Sequence, residues 1–103
     1  MSTVTKASIE AKIRGVYFIN AGAAIKASDD GYTQRDLEEL NLVTICIIIL
    51  ENGFKVEGTS ACVDPKIYNE AVGRKEAYNN AFEKIWEKEG YLLKQKMFEE
   101  NQK

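Results

Sequence analysis

Apolar residues fall in four segments along the chain, each with its own spacing. In residues 6–28, Ile9, Ile13, Val16, Tyr17 and Ala24 recur near helical spacing, which predicts an N-terminal helix. Thr5 is a suitable N-cap, and Val4 and Ile9 stand at the staple positions on either side of it. Gly15 and Gly22 weaken that helix by about 1 kcal/mol each relative to Ala, so a break is expected near Asn20–Gly22. Residues 29–41 start with Asp29-Asp30-Gly31, which is turn chemistry. A short helix capped by Thr33 follows, with Tyr32 and Leu37 as a second staple pair, and a loop is the competing reading.

The third segment alternates least and is richest in β-branched residues. Residues 43–50 read VTICIIIL, Glu51-Asn52-Gly53-Phe54 follows, and a second run covers 54–61. Asn-Gly between two such runs predicts a β-hairpin with a two-residue type I′ turn, since Asn and Gly tolerate positive φ. That loop pairs Ile49 with Val56, Ile47 with Gly58 and Ile45 with Ser60 on a core face. It leaves Leu50, Ile48 and Cys46 in a row on the other face. A lone hairpin is marginal in water and its edges offer unpaired backbone groups. The second face is therefore expected to be covered by the N-terminal helix or to join a second copy, and a homo-oligomer is expected. The same register separates Cys46 from Cys62, so no disulfide joins them.

The fourth segment opens at Asp64-Pro65, a good N-cap followed by Pro at N1. Ile67, Ala71, Arg74, Tyr78, Phe82, Ile85 and Trp86 trace one stripe of a long helix over about 65–88. Gly90 suits the position after a helix end, and a short terminal helix is expected over 91–98. The whole reads as one α+β domain, 1–103, consistent with single domains of about 100–150 residues.

Composition narrows the function more than the fold. The chain has 14 basic and 16 acidic residues, net −2, and no histidine. A general nucleic-acid coat needs a basic footprint, so nucleic acid is not an expected partner. Without histidine, Ser/His/Asp and Cys/His catalysis and most zinc sites are excluded. No phosphate-loop, dinucleotide or zinc-protease motif is present, and no cofactor or metal is expected. No apolar run approaches the roughly 18–20 residues of a membrane span. We read the chain as a cytoplasmic binding protein that is not an enzyme.

Only Arg14, Arg35 and Arg74 carry guanidinium groups. Arg74 falls on the apolar stripe, so its head must reach an anion. That anion is either a phosphate, received with Lys75 near Gly58-Thr59-Ser60, or a neighbouring glutamate, and both readings stand. Gly73 inside a helix calls for close approach of another backbone or a kink. Tyr78 and Asn79 combine an aromatic ring with an amide, which suits a nucleobase, although Tyr78 also fits the core. The glutamates interleaved with Lys75, Lys84 and Lys88 read as a solvated helix face.

Thr44-Ile45-Cys46, Glu51-Asn52-Gly53-Phe54, Gly58-Thr59-Ser60-Ala61-Cys62, Asp64-Pro65, Gly73-Arg74-Lys75, Ile85-Trp86 and Gly90-Tyr91-Leu92-Leu93 occur in an order and spacing that resembles the Gp forty-nine family of small phage and prophage proteins. Glu87 departs from the pattern, which has Pro after the Trp. The hairpin-plus-helix layout is similar to the sponge proteins that counter Thoeris defence. That resemblance implies dimers or hexamers that sequester a cyclic ADP-ribose-type signal without cleaving it. On this reading Arg74 and Lys75 meet phosphates and Arg14 reaches across a subunit boundary. Tyr78 or Phe54 stacks on a base, and Asn79 or Asn52 reads its polar edge. The alternative is a small phage protein that binds a host protein through its hairpin surface.

Overall fold

A computed structural model describes residues 3–102. The order of elements is α1 (Lys6–Glu10), β1 (Ile13–Asn20), α2 (Ala21–Ala27), α3 (Gln34–Leu40), β2 (Val43–Leu50), β3 (Lys55–Ala61), a 3-10 turn (Pro65–Ile67) and α4 (Glu70–Asn101). The strands form one antiparallel sheet in the order β1-β2-β3, so the α+β class stands.

The N-terminus departs most from expectation. Thr5 does cap α1, in a reciprocal capping box with Ser8, and Ile9 is buried. The helix expected over 6–28 then stops at Glu10, and residues 13–20 form a third strand. Ile13, Val16, Tyr17 and Ile19 are β-branched or aromatic, and they pair with β2 along the strand, with one register irregularity between Ile13 and Gly15. Pairing to a waiting strand outweighs the weak helical preference of a segment holding Gly15. Asn20 then turns the chain: its Oδ1 accepts from Ala23 N–H at 2.9 Å, starting α2, and its Nδ2 donates to Asn41 O at 2.8 Å. The short helix after Thr33 forms as expected, with Leu37 buried.

The hairpin forms where Asn-Gly predicts it, but its register is shifted by one. Thr44 faces Ser60, Cys46 faces Gly58 and Ile48 faces Val56. The loop holds three residues, Glu51-Asn52-Gly53. Gly53 takes φ 88°, and Leu50 N–H donates to Phe54 O at 2.8 Å. This is a type I turn with a bulged glycine, the next commonest hairpin solution after the two-residue loop. A one-residue slip exchanges faces. Thr44, Cys46 and Ile48 therefore point to the core with Val56, Gly58 and Ser60, while Ile45, Ile47 and Ile49 point outward. The expected second face of Leu50, Ile48 and Cys46 is corrected accordingly: Ile48 and Cys46 are fully buried. Both cysteines are free.

α4 lies across the inner face. Ala77 and Ala81 meet Gly58, and Ile85 and Phe82 close over Ile9, Ile48 and Val56. A Cβ on Gly58 would stand 2.2 Å from Ala81 N and 2.4 Å from Ala77 O. The absent side chain is thus what lets the helix backbone reach the strand. Gly73 serves the same approach one end further on, where Ser60 Oγ donates to Gly73 O at 2.6 Å.

The helix expected over 65–88 starts later and runs on. Asp64 caps only the 3-10 turn, and Asn69 caps α4, its Oδ1 accepting from Val72 N–H. Gly90 does not end the helix, and the separate terminal helix over 91–98 is the continuation of α4. Leu92, Leu93, Lys94, Gln95 and Met97 are good helix formers, and Gly53 is the glycine with positive φ among the described residues. Nor is there a turn at Glu87. The result is a molecule 61 Å long by 29 by 20 Å, with the end of α4 projecting past the sheet.

Candidate functional site

A concavity forms where the hairpin turn, the α1–β1 link and the middle of α4 converge. Glu51 N–H donates to Lys12 O at 2.8 Å, tying the turn to the N-terminal segment. Asn52 Oδ1 accepts from Phe54 N–H at 2.9 Å, and Lys55 Nζ donates to Gly53 O at 3.0 Å. These bonds hold the Phe54 ring out at the mouth, 47% exposed. Lys88 Nζ stands 5.4 Å from the ring centroid, within cation–π range. Lys12 and Glu89 form an ion pair of 2.5 Å on the opposite wall.

The cleft measures about 530 Å³, with Leu50, Ile85, Phe54, Tyr91 and Leu92 as its apolar lining. That volume lies in the range of small-molecule sites, roughly 300–1,000 Å³. Its charged groups are Lys12 and Lys88 against Glu51, Glu87 and Glu89. Among the described residues lining the cleft, Lys12 is paired with Glu89, and Lys88 stands over Phe54 within reach of an anionic group. The carboxylates set a limit on how much negative charge the cleft accepts. Among the described residues, no cluster of three or more His, Cys, Asp or Glu side chains is placed to hold a metal.

The expected ligand residues divide between two places. Phe54 and Asn52 belong to the cleft. Arg74 and Tyr78 lie toward the other end of α4, about 21 Å and about 15 Å from Lys88 at 1.5 Å per helical residue. Arg74 stands 3.1 Å from Glu70 and 5.2 Å from the Phe18 ring centroid. Of the two anions considered for it, the glutamate is the one within reach here. Gly58 and Ser60 are occupied by helix packing. Tyr78 packs beside Phe82, ring centroids 5.7 Å apart. Burial first, then Glu10 and Cys46, pushes its phenol above the ordinary range. Lys75 and Asn79 are exposed on α4, and Arg14 is exposed on β1 at the register irregularity between Ile13 and Gly15. One chain does not bring all seven side chains to a single pocket.

Sequence reasoning missed Lys12, Lys88, Tyr91 and Leu92 as lining. Lys12 and Glu89 are 77 residues apart, and nothing local marks such a pair. Tyr91 reads as a turn residue only if the helix ends at Gly90.

The fold and cleft define a small α+β protein with one helix clasping a three-stranded meander and a ligand-sized opening at the hairpin turn. The chain belongs to the phage protein (N4 Gp49/phage Sf6 gene 66) family, whose model matches residues 4–97. No curated protein and no solved structure matches it. Among the described residues no helix is long and apolar enough to cross a membrane.

Proposed function

We propose that this phage protein acts in the host cytoplasm as an anti-defence binding protein. It holds a cyclic nucleotide-type immune signal, a cyclic ADP-ribose isomer or a cyclic oligonucleotide, without turning it over. The observation that carries this reading is the cleft at the hairpin turn. Phe54 and Tyr91 offer ring faces for a base, Lys88 offers a cation beside Phe54, and Asn52 lies at the rim. Base-on-aromatic stacking contributes about 1–3 kcal/mol per base. The carboxylates favour a ligand whose charge is low for its size. Arg74 and Lys75 enter such a site only from another copy, which accords with a homo-oligomer.

Calorimetry with cyclic ADP-ribose isomers and cyclic oligonucleotides tests the proposal. Binding is expected with the ligand recovered chemically unchanged, and Phe54→Ala should weaken it by about 5–150-fold. Silence across the panel overturns the proposal, and release of a cleaved product makes the protein an enzyme instead.

A second reading, a protein that docks on a host protein through its hairpin surface, has the open outer face of Ile45, Ile47 and Ile49 behind it. A host protein captured by the wild type and lost with a correctly folded Ile47→Lys variant supports that reading.

A further inference from the structure

The cleft at the hairpin turn does not end at the Lys12–Glu89 pair. A second depression of about 290 Å³ opens beside it, lined by Val4, Leu93 and Lys96, and Lys12, Glu89 and Leu92 belong to the walls of both. The two hollows are one groove divided by an ion pair. Lys88, Leu92 and Lys96 follow at intervals of four on α4, so they lie along one side of the helix. Lys88 and Lys96 stand about 12 Å apart at 1.5 Å per residue.

The halves differ in charge. The cleft sets Lys12 and Lys88 against three carboxylates, Glu51, Glu87 and Glu89. Among the described residues, the second depression sets Lys12 and Lys96 against Glu89 alone, and Glu89 is already held by Lys12. Lys96 forms no ion pair with a described residue. The rings of Phe54 and Tyr91 belong to the first half only.

We infer that the groove is bipartite, with a base-binding half at the hairpin turn and a phosphate subsite beyond Glu89, formed by Lys12 and Lys96. This rests on the nucleotide reading of the cleft and gives the ligand a direction along α4, base at Phe54 and phosphates at Lys96. A phosphate left at Lys88 stays among Glu51 and Glu87, and like charges in a partly enclosed site repel more strongly than in open water. A phosphate carried past Glu89 meets a surplus of positive charge. Lysine suits that position, because an ammonium is a point charge that accepts phosphate from any direction. Leu92 supplies an apolar floor between the halves for the uncharged middle of the ligand. Glu89, its side chain only 13% exposed, is the selector. Lys12 turns to the ligand only when the ligand's phosphate outcompetes that carboxylate, so an uncharged nucleoside leaves the pair intact.

The test is solution NMR of the full chain with two probes added separately, adenosine and inorganic pyrophosphate. Adenosine should shift the amides of Asn52, Phe54 and Tyr91, and pyrophosphate those of Ser8, Lys12 and Lys96. Lys96→Met should weaken pyrophosphate by about 3–5-fold and adenosine by less. Glu89→Gln should strengthen pyrophosphate by a similar factor. Amide shifts unchanged elsewhere in the chain show that each variant folds. Pyrophosphate shifts centred on Lys88 and Phe54, or none at 10 mM, overturn the inference, as does unaltered pyrophosphate affinity in Lys96→Met. The subsite and the functional reading fail separately. A cyclic nucleotide that binds while pyrophosphate misses Lys12 and Lys96 removes the subsite alone. Pyrophosphate seated there while every cyclic nucleotide stays silent upholds the subsite and removes the functional reading.

Discussion

Replacing Gly58 by Ala should be strongly destabilising. The new Cβ would stand 2.2 Å from Ala81 N, 2.4 Å from Ala77 O and 2.8 Å from Ala81 Cα. Carbon contacts settle near 3.5–4.0 Å, so helix and strand must separate by more than an ångström. The obstructing atoms are helix backbone and have no rotamer to yield. Moving α4 outward also loosens Phe82 and Ile85 from the core they close. Overpacking of this kind costs about 1–3 kcal/mol, and rigid backbone places it at the upper end. Reduced freedom of the unfolded chain returns about 0.4–1 kcal/mol. The net loss is about 2 kcal/mol, which lowers Tm by roughly 8–16 °C in a domain of this size. Urea denaturation followed at 222 nm measures it, with Gly90→Ala as the matched control. A Cβ at Gly90 meets nothing within 4 Å, so that change should stabilise by up to about 1 kcal/mol through helix propensity. If Gly58→Ala unfolds at the wild-type midpoint, the close approach of α4 to β3 is wrong.

Two further outcomes follow from the packing. Asn20→Ala removes both the cap on α2 and the tie to Asn41 O, and should lower stability by about 1–2 kcal/mol in the same urea assay; no change would detach that side chain from the turn. Burial raises the Cys46 thiol, and burial, Glu10 and Cys46 raise the Tyr78 phenol. Both groups are neutral when protonated, so above the ordinary thiol and phenol ranges, near pH 8.5 and 10, the unfolded chain releases protons first. Their contribution is whole below those ranges and is lost as pH rises through the folded values. The urea midpoint should therefore fall on the alkaline side, less steeply in Tyr78→Phe, and an unchanged slope in that variant would refute the assignment.

Much of the architecture is legible in the residues, and the misses share a physical cause. Asn52-Gly53 announces the hairpin, Thr5 and Thr33 announce their helices, and Gly73 announces a close approach. Local chemistry settles each of these. The register was not settled locally, because Asn-Gly suits both a two-residue loop and a three-residue loop with Gly53 bulged, and the choice falls to packing. Wherever that choice goes, the whole of β2 follows, so Ile47 and Ile48 exchange inside for outside. β1 is a harder case. Ile13, Val16 and Tyr17 satisfy helical spacing as well as strand composition, and only the presence of β2 decides. Along α4 the last turns are ordinary helix formers, so Gly90 alone could not end it. The site suffers from the same blindness to distance. Phe54 and Asn52 were visible from the turn, whereas Lys12 and Lys88 reach the cleft only through tertiary packing.

The order β1-β2-β3 also sets a sequence of events in time. β2, β3 and the sheet-facing half of α4 are consecutive in the chain, and their contacts close over short loops. β1 reaches β2 only after the intervening helices α2 and α3 are laid down, at a greater entropic cost of closure. The central hairpin and its helix should therefore assemble first as a unit, with β1 zipping on afterwards as an edge. In the folded protein the same strand should be the first to open, and its amides should exchange with solvent before those of β3.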